Sequence, residues 1–185
     1  LLGTGARERG GGFRNDGSYY YAVMDSATEE SKAQAADSLE QNTLYWGGDH
    51  LYETGLQDLA RILDTCNQQG TKVLLYLPPI EGSLLDEMRE DPGRKAFWAA
   101  LPPAVAALCT NPHTALYDGT DPRRLGTDRS YFFDRHHAGE VTMILQLMEM
   151  LQQEGTAEIL APYVDPAALE KAIATAASPF HAYGD

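Results

Sequence analysis

The sequence predicts an α/β fold in which helices alternate with the strands of a parallel, doubly wound sheet. Two short apolar runs, 72–77 and 114–118, have the length of strands, and the first is apolar almost throughout. Strands of parallel sheets read this way because helices cover both faces. Helical patterns separate the two runs, and parallel strands need such a crossover connection.

The helices are predicted from apolar side chains that recur at three- and four-residue spacing. The clearest one spans 51–69 and stops at Gly70. Pro102 and Pro103 are expected to kink or restart one of the later helices. A weaker helix begins with a capping pattern at Thr28 and extends to Leu39. The remaining helices are predicted at 83–89, 94–109, 138–153 and 165–177.

The chain divides into three parts by composition. Residues 1–17 are rich in glycine and charge and are predicted to be a loop or connector. Residues 18–153 are predicted to form part of the α/β domain, beginning with a short edge strand or surface segment at 18–23. Residues 154–185 supply a C-terminal helix and tail. Since sheets usually have about five strands, we expect an N-terminal part or a partner chain to complete this one.

Size and charge limit the classes of function. A chain of 185 residues is long enough for one domain with a single core. The excess of 27 acidic over 14 basic residues gives a net charge of -13, which repels phosphate backbones and argues against nucleic acid as a partner. No apolar stretch approaches the ~18 to 20 residues that span a bilayer. Because the first residue is Leu1 rather than methionine, the sequence leaves open whether a targeting segment precedes it.

The two cysteines give no sign of a metal site. Cys66 and Cys109 lie far apart in helical patterns, without a CxxC or Cys/His cluster. Both are predicted to be small buried hydrophobic residues. A disulfide between them stays open, so cysteine usage does not settle the redox compartment.

Four features resemble the closing half of an SGNH (GDSL-like) hydrolase domain, in particular the bacterial cell-envelope branch of that family. They are a loop at 12–18, the strand with its Pro78-Pro79 ending, the helix that carries Trp98, and the block Tyr131-Phe132-Phe133-Asp134-Arg135-His136-His137. The family ends in Asp-x-x-His, which Asp134 and His137 match. The resemblance covers about residues 12–153 and implies a flavodoxin-like sheet, a nucleophilic serine and oxyanion donors upstream, and a periplasmic or cell-envelope location.

Asp134 and His137 are predicted to be a catalytic pair. A histidine can take the proton from an attacking hydroxyl, and a carboxylate on its other ring nitrogen fixes the tautomer. The spacing allows both side chains to converge in a tight loop before a helix. The alternative is structural: Asp134 caps a helix at Ala138, and His137 is a half-buried loop histidine.

Several other residues compete for roles in a site. His136 is an alternative base, and adjacent histidines invite a metal site with His50 or His113 as a further ligand, although the prediction is that no metal or cofactor is bound. Ser83 either caps a helix, with Asp86 completing a capping box, or substitutes as nucleophile. A substrate groove is predicted to include Trp46, Asp49 and His50, although Trp46 also suits a core or lid.

The resemblance and the residues together predict an SGNH-like esterase or O-acyltransferase. Its substrate is expected to be an acylated carbohydrate or a cell-envelope polysaccharide, a class that follows from the resemblance alone. This chain would supply the Asp–His pair, and the nucleophile would lie upstream. The alternative from a different class is a non-catalytic binding or assembly module that retains the fold.

Overall fold

The computed structural model describes residues 12–13, 19–20 and 49–183. The chain forms two compact units, Leu1–Ala36 and Asp37–Asp185. In the first unit, strand β1 (Gly12–Phe13) pairs antiparallel with strand β2 (Tyr19–Tyr20). The loop prediction for 1–17 is therefore wrong at β1, and a short strand within 18–23 is confirmed at β2. The helix predicted at 28–39 lies outside the described residues.

The described part of the second unit, residues 49–183, alternates helices with two strands. Helix α1 (Glu53–Gln68) leads into strand β3 (Val73–Leu77), and two helices then connect β3 to strand β4 (Thr114–Asp118). The elements between and after them are α2 (Gly82–Glu90), α3 (Lys95–Ala106), the 3-10 turns Pro122–Leu125 and Arg129–Tyr131, α4 (Glu140–Met150), α5 (Thr156–Leu160) and α6 (Pro166–Ala174).

Strands β3 and β4 run parallel, from Val73 opposite Thr114 to Leu77 opposite Asp118. Helices connect and flank this two-stranded sheet, so the α/β class is confirmed for the part of the chain that is described. Every residue of β3 is half-buried, whereas three of the five residues of β4 are buried. The prediction that the first strand is buried on both faces is therefore wrong in degree.

Most predicted helices are present, with shifted ends. The helix expected at 94–109 continues through Pro102 and Pro103 instead of restarting, and the carbonyl of Pro103 still accepts a hydrogen bond from the amide of Ala107 at 3.0 Å. The helix expected at 138–153 begins two residues later, at Glu140. The short helix α5 was not predicted, because five residues give too little periodicity to recognise.

Among residues 49–183, buried apolar side chains form two clusters. One joins the segment after β3 to α2 and includes Ile80, Leu84, Leu85 and Met88, with Trp98 of α3 packed against it. Trp98 is half-buried in this contact. The other cluster joins α4, α6 and the C-terminal residues through Val141, Ile144, Leu169, Ala172 and Ala182.

The carboxyl ends of β3 and β4 are tied together and to helix α4. The amide of Gly119 donates to the carbonyl of Leu77 at 2.9 Å, and the side-chain amide of Gln146 donates to the carbonyl of Gly119 at 2.7 Å. A Cβ at position 119 would collide with both neighbours, so the close approach of helix and sheet edge requires glycine there. The sheet edge at which ligands bind in open α/β folds is thereby fixed against α4.

Cys66 and Cys109 are both free and half-buried. The prediction of full burial is therefore wrong for each, although burial does raise the pKa of the Cys109 thiol. Among the residues described, no helix has the length and apolar character that crossing a membrane requires.

Candidate active site

The block that carries Asp134 and His137 forms a closed turn, which we call the Asp–His turn (residues 133–139). The amide of Phe133 donates to the carbonyl of His137 at 2.9 Å, and the amide of Gly139 donates to the carbonyl of Tyr131 at 2.7 Å. The backbone therefore folds back on itself before α4 begins. The expected convergence of a carboxylate and an imidazole follows from this reversal.

The two carboxylate oxygens of Asp134 have separate partners. Oδ1 accepts from the backbone amides of His136 at 2.6 Å and His137 at 2.7 Å, which closes the turn. Oδ2 lies 2.6 Å from Nδ1 of the His137 ring. One side chain thus shapes the turn and orients the histidine that the turn presents.

Hydrogen bonding keeps Asp134 ionised. Burial alone would raise the pKa of Asp134, but the bonds from the His137 ring and from the two backbone amides outweigh it and hold that pKa below its ordinary value of 3.8. An ionised carboxylate can only accept, so Nδ1 of His137 must carry the proton in this contact. In the neutral ring, Nε2 is then the unprotonated nitrogen.

The reactive face of His137 points away from the core. Its side chain is 61% exposed, whereas that of Asp134 is 18% exposed. Within the described part of the chain, Nε2 of His137 has no hydrogen-bond partner. The ring of His136 lies beside it, with the two ring centroids 6.5 Å apart. Burial lowers the pKa of His136, although the negative charge of Asp134 acts to raise it. The more exposed ring is therefore the better placed of the two to meet a substrate.

Arg135 anchors the Asp–His turn to helix α2. Its side chain is only 8% exposed, and its guanidinium makes a two-pronged contact with Glu87, with Nη1 at 3.1 Å from one carboxylate oxygen. Nη2 also donates to Oγ of Ser83 at 3.2 Å, and Nε lies 3.7 Å from Glu81. The carbonyl of Arg135 accepts from the amide of Glu81 at 3.1 Å. The turn is therefore held just beyond the carboxyl end of β3.

Glu81, not Ser83, caps helix α2. Its carboxylate accepts from the amides of Ser83 at 3.1 Å and Leu84 at 3.2 Å, and from the Ser83 hydroxyl at 2.5 Å. The predicted capping box is therefore wrong, and Asp86 instead pairs with Arg123 at 2.7 Å. Burial would raise the pKa of Glu81, but the Ser83 and Leu84 hydrogen bonds and the charge of Arg135 lower it below its ordinary value.

The predicted alternative role of Asp134 as a helix cap is also wrong. Helix α4 starts at Glu140 with Gly139 as its N-cap, and no side chain caps it. Asp134 instead caps the turn that precedes the helix. The reversal of the chain at 133–139 places Ala138 and Gly139 between His137 and the first residue of the helix, which the sequence spacing did not reveal.

The other predicted site residues are not drawn into this turn. Asp49 and His50 are exposed and contact each other, with Oδ1 and Nδ1 2.6 Å apart, while Trp46 lies outside the described residues. In residues 49–183, the structure has no group of three or more His, Cys, Asp or Glu side chains that could hold a metal ion. Within these residues, His136 and His137 therefore have no third ligand nearby that would complete a metal site.

Sequence reasoning missed Arg135 and Glu81. In the sequence, Arg135 looks like an ordinary polar loop residue beside the candidate pair. Glu81 looks like an acidic residue that flanks a helix. The available signal was Glu81 three positions before Leu84, at the start of an apolar helical run. The partner of Arg135 lies 48 residues away and could not be found from local spacing.

The lowered pKa of Asp134 predicts how the contact responds to acid. A group whose pKa is lower in the folded state stabilises that state above its unfolded pKa, about 3.9 for aspartate, and loses this contribution as pH falls through the folded value. The free energy of unfolding of the parent protein should therefore exceed that of the Asp134→Asn variant most clearly above about pH 5. The difference between the two proteins should shrink toward pH 3. Urea unfolding of both proteins across this range measures it. A difference that grew as pH fell would contradict the assignment.

Comparisons with known proteins were made at three levels. No family model matches this chain, no curated protein matches it, and no solved structure matches it.

Proposed function

We propose that this chain carries the base and orienting acid of an ester hydrolase or O-acyltransferase of the SGNH type. The observation that carries the proposal is the 2.6 Å contact between Asp134 and Nδ1 of His137, in a turn whose Arg135 carbonyl accepts from the amide of Glu81, four residues after the end of β3. The contact leaves Nε2 exposed and unprotonated in the neutral ring, as a general base requires. A doubly wound sheet with further strands is part of the same proposal.

In the first step, Nε2 of His137 takes the proton of a serine hydroxyl as that oxygen attacks the acyl carbon. The ring becomes an imidazolium, and the carboxylate of Asp134 stabilises this charge through Nδ1. The protonated ring then gives its proton from Nε2 to the departing alcohol oxygen. An acyl-serine and a free alcohol result, so the proton count balances.

In the second step, Nε2 takes a proton from the acceptor as the acceptor oxygen attacks the acyl carbon. The bond between that carbon and the serine oxygen then breaks, and the ring returns its proton to the serine oxygen. A water molecule as acceptor completes hydrolysis, whereas a sugar hydroxyl as acceptor completes transfer of the acyl group. The exposed position of His137 leaves room for either acceptor to approach. The nucleophilic serine is proposed to lie upstream of the residues that resemble the family.

The substrate class and location rest on the resemblance. An acylated carbohydrate or cell-envelope polysaccharide, and a periplasmic or envelope setting, are what the cell-envelope branch of the family implies. The net charge of -13 is compatible with a neutral, acylated polymer and unfavourable for a polyphosphate.

The proposal is tested with the full-length natural protein and p-nitrophenyl acetate as ester. We expect His137→Ala to lower turnover by about three orders of magnitude or more, because no group then accepts the proton of the nucleophile. Release of p-nitrophenol gives kcat and KM, and circular dichroism checks that the variant folds. An O-acetylated polysaccharide, with released acetate as the readout, tests the substrate class.

Two variants serve as controls for the competing roles. Ser83→Ala removes the serine that was the alternative nucleophile, and its hydroxyl already contacts Glu81 and Arg135. His136→Ala removes the alternative base. Turnover within a few-fold of the parent is expected for both. A loss in either variant with His137→Ala unaffected would refute the assignment, and a parent protein without esterase activity would favour the binding or assembly module.

A further inference from the structure

The C-terminal residues 178–183, here called the C-terminal strap, pack against the Asp–His turn. The ring of Phe180 stacks on the ring of Phe133, with centroids 4.2 Å apart and planes inclined by 28°. Phe133 is the first residue of the turn, and its amide holds the carbonyl of His137. The aromatic contact therefore bears directly on the backbone that carries the candidate base.

The strap is fixed along its length. The carbonyl of Pro179 accepts from the amide of Val141 at 3.0 Å, and the carboxylate of Glu140 accepts from the amide of Ala182 at 3.0 Å. Ala182 is 2% exposed and belongs to the apolar cluster of α4 and α6. These contacts seat the strap across the start of α4, so Phe180 presents its ring from a fixed backbone.

The approach of the strap to the turn is close. A Cβ on Gly139 would collide with the carbonyl of Pro179 and with the ring of Phe180. Gly139 ends the Asp–His turn and is the N-cap of α4. The absence of a side chain at this position lets the two segments pack directly against each other.

We infer that Phe180 is a positioning residue for His137, acting through Phe133. The inference rests on the proposed function for its catalytic consequence. His137 is largely exposed, so few contacts restrain its ring other than Asp134 and the turn backbone. A stacked pair of rings restricts the opening of that backbone. Loss of the Phe180 ring should therefore loosen the turn while the rest of the unit stays folded.

Amide hydrogen exchange of the chain tests this without a substrate. In Phe180→Ala, the amides of Phe133 and His137 should exchange about tenfold faster relative to the amides of β4, because the turn opens locally. Phe180→Tyr keeps the aromatic face and should restore parent exchange. Leu169→Ala truncates a buried residue of the apolar cluster of α4 and α6, to which Ala182 of the strap belongs, and should leave the ratio of turn to β4 exchange unchanged. Equal acceleration of turn and β4 amides in Phe180→Ala would overturn the inference.

Ester hydrolysis by the full-length protein tests the catalytic consequence of the inference. In ester hydrolysis, Phe180→Ala should lower kcat about tenfold with KM unchanged, and Phe180→Tyr should recover it. Faster exchange of the turn in a protein that hydrolyses no ester would support the positioning of His137 and overturn the proposed function. Unchanged exchange and unchanged kcat in Phe180→Ala would overturn the inference and leave the proposed function standing.

Discussion

Replacing Asp134 with asparagine should lower ester turnover about 10,000-fold while the Asp–His turn stays folded. The amide oxygen of asparagine can replace Oδ1 and accept from the amides of His136 and His137. Its NH2 group then faces Nδ1 of His137, where the carboxylate oxygen had been. Two donors cannot share that contact, so the ring proton must move to Nε2. The nitrogen that should act as base is then occupied.

The tautomer of His137 can be read from its ring nitrogen chemical shifts at alkaline pH. The parent should show the proton on Nδ1, and Asp134→Asn should show it on Nε2. Asp128→Asn is the matched control, because Oδ1 of Asp128 likewise caps a turn by accepting from the amide of Ser130 at 2.8 Å, in a contact without a histidine. The control should keep the parent tautomer and turnover. A parent ring protonated on Nε2 would refute the proposed geometry.

Replacing Arg135 with methionine should destabilise the folded chain by about 3 kcal/mol. The side chain of Arg135 is 8% exposed and that of Glu81 is 6% exposed, so the change leaves a buried acid without its cation. We place the effect at the lower end of the range for broken buried pairs, about 3 to 5 kcal/mol, for two reasons. The carboxylate of Glu81 keeps its hydrogen bonds from the amides of Ser83 and Leu84. The side chain of Glu87 is 45% exposed, so water can hydrate its carboxylate.

Chemical denaturation measures this change, and Arg123→Met is its matched control. Arg123 also bridges two carboxylates, those of Asp86 and Asp121, but its side chain is 42% exposed. Exposed pairs contribute about 0 to 1 kcal/mol, so the control should lose no more than about 1 kcal/mol. Equal losses in the two variants would show that burial of Arg135 does not set its contribution. Arg135→Met should also lower ester turnover, since the turn loses its anchor on α2.

The two strands of the parallel sheet were predicted to within one residue, because a local sequence pattern defines them. Strand β4 has the predicted bounds, Thr114–Asp118, and β3 begins one residue later than predicted. Apolar runs bounded by proline, glycine or polar residues define such strands within a few positions. The resemblance to a family whose final block is Asp-x-x-His likewise predicted the contact between Asp134 and the ring of His137.

Capping was predicted less well, because several neighbouring side chains can reach the same amides. Glu81, Ser83 and Asp86 all lie near the start of α2, and the sequence pattern favoured Ser83. The buried guanidinium of Arg135 beside Glu81 favours the carboxylate as the cap. A contact from outside the helix therefore decided which residue caps it.

The sequence by itself determined the alternation of helices and strands and the pairing of Asp134 with His137, because both depend on residues a few positions apart. Only the tertiary structure decided what holds that pair in place. Arg135 meets Glu87 from 48 residues away, and Phe180 reaches Phe133 from the C-terminal strap. Such contacts form when distant segments are packed together, and the side chains that make them carry no local periodicity that could announce them.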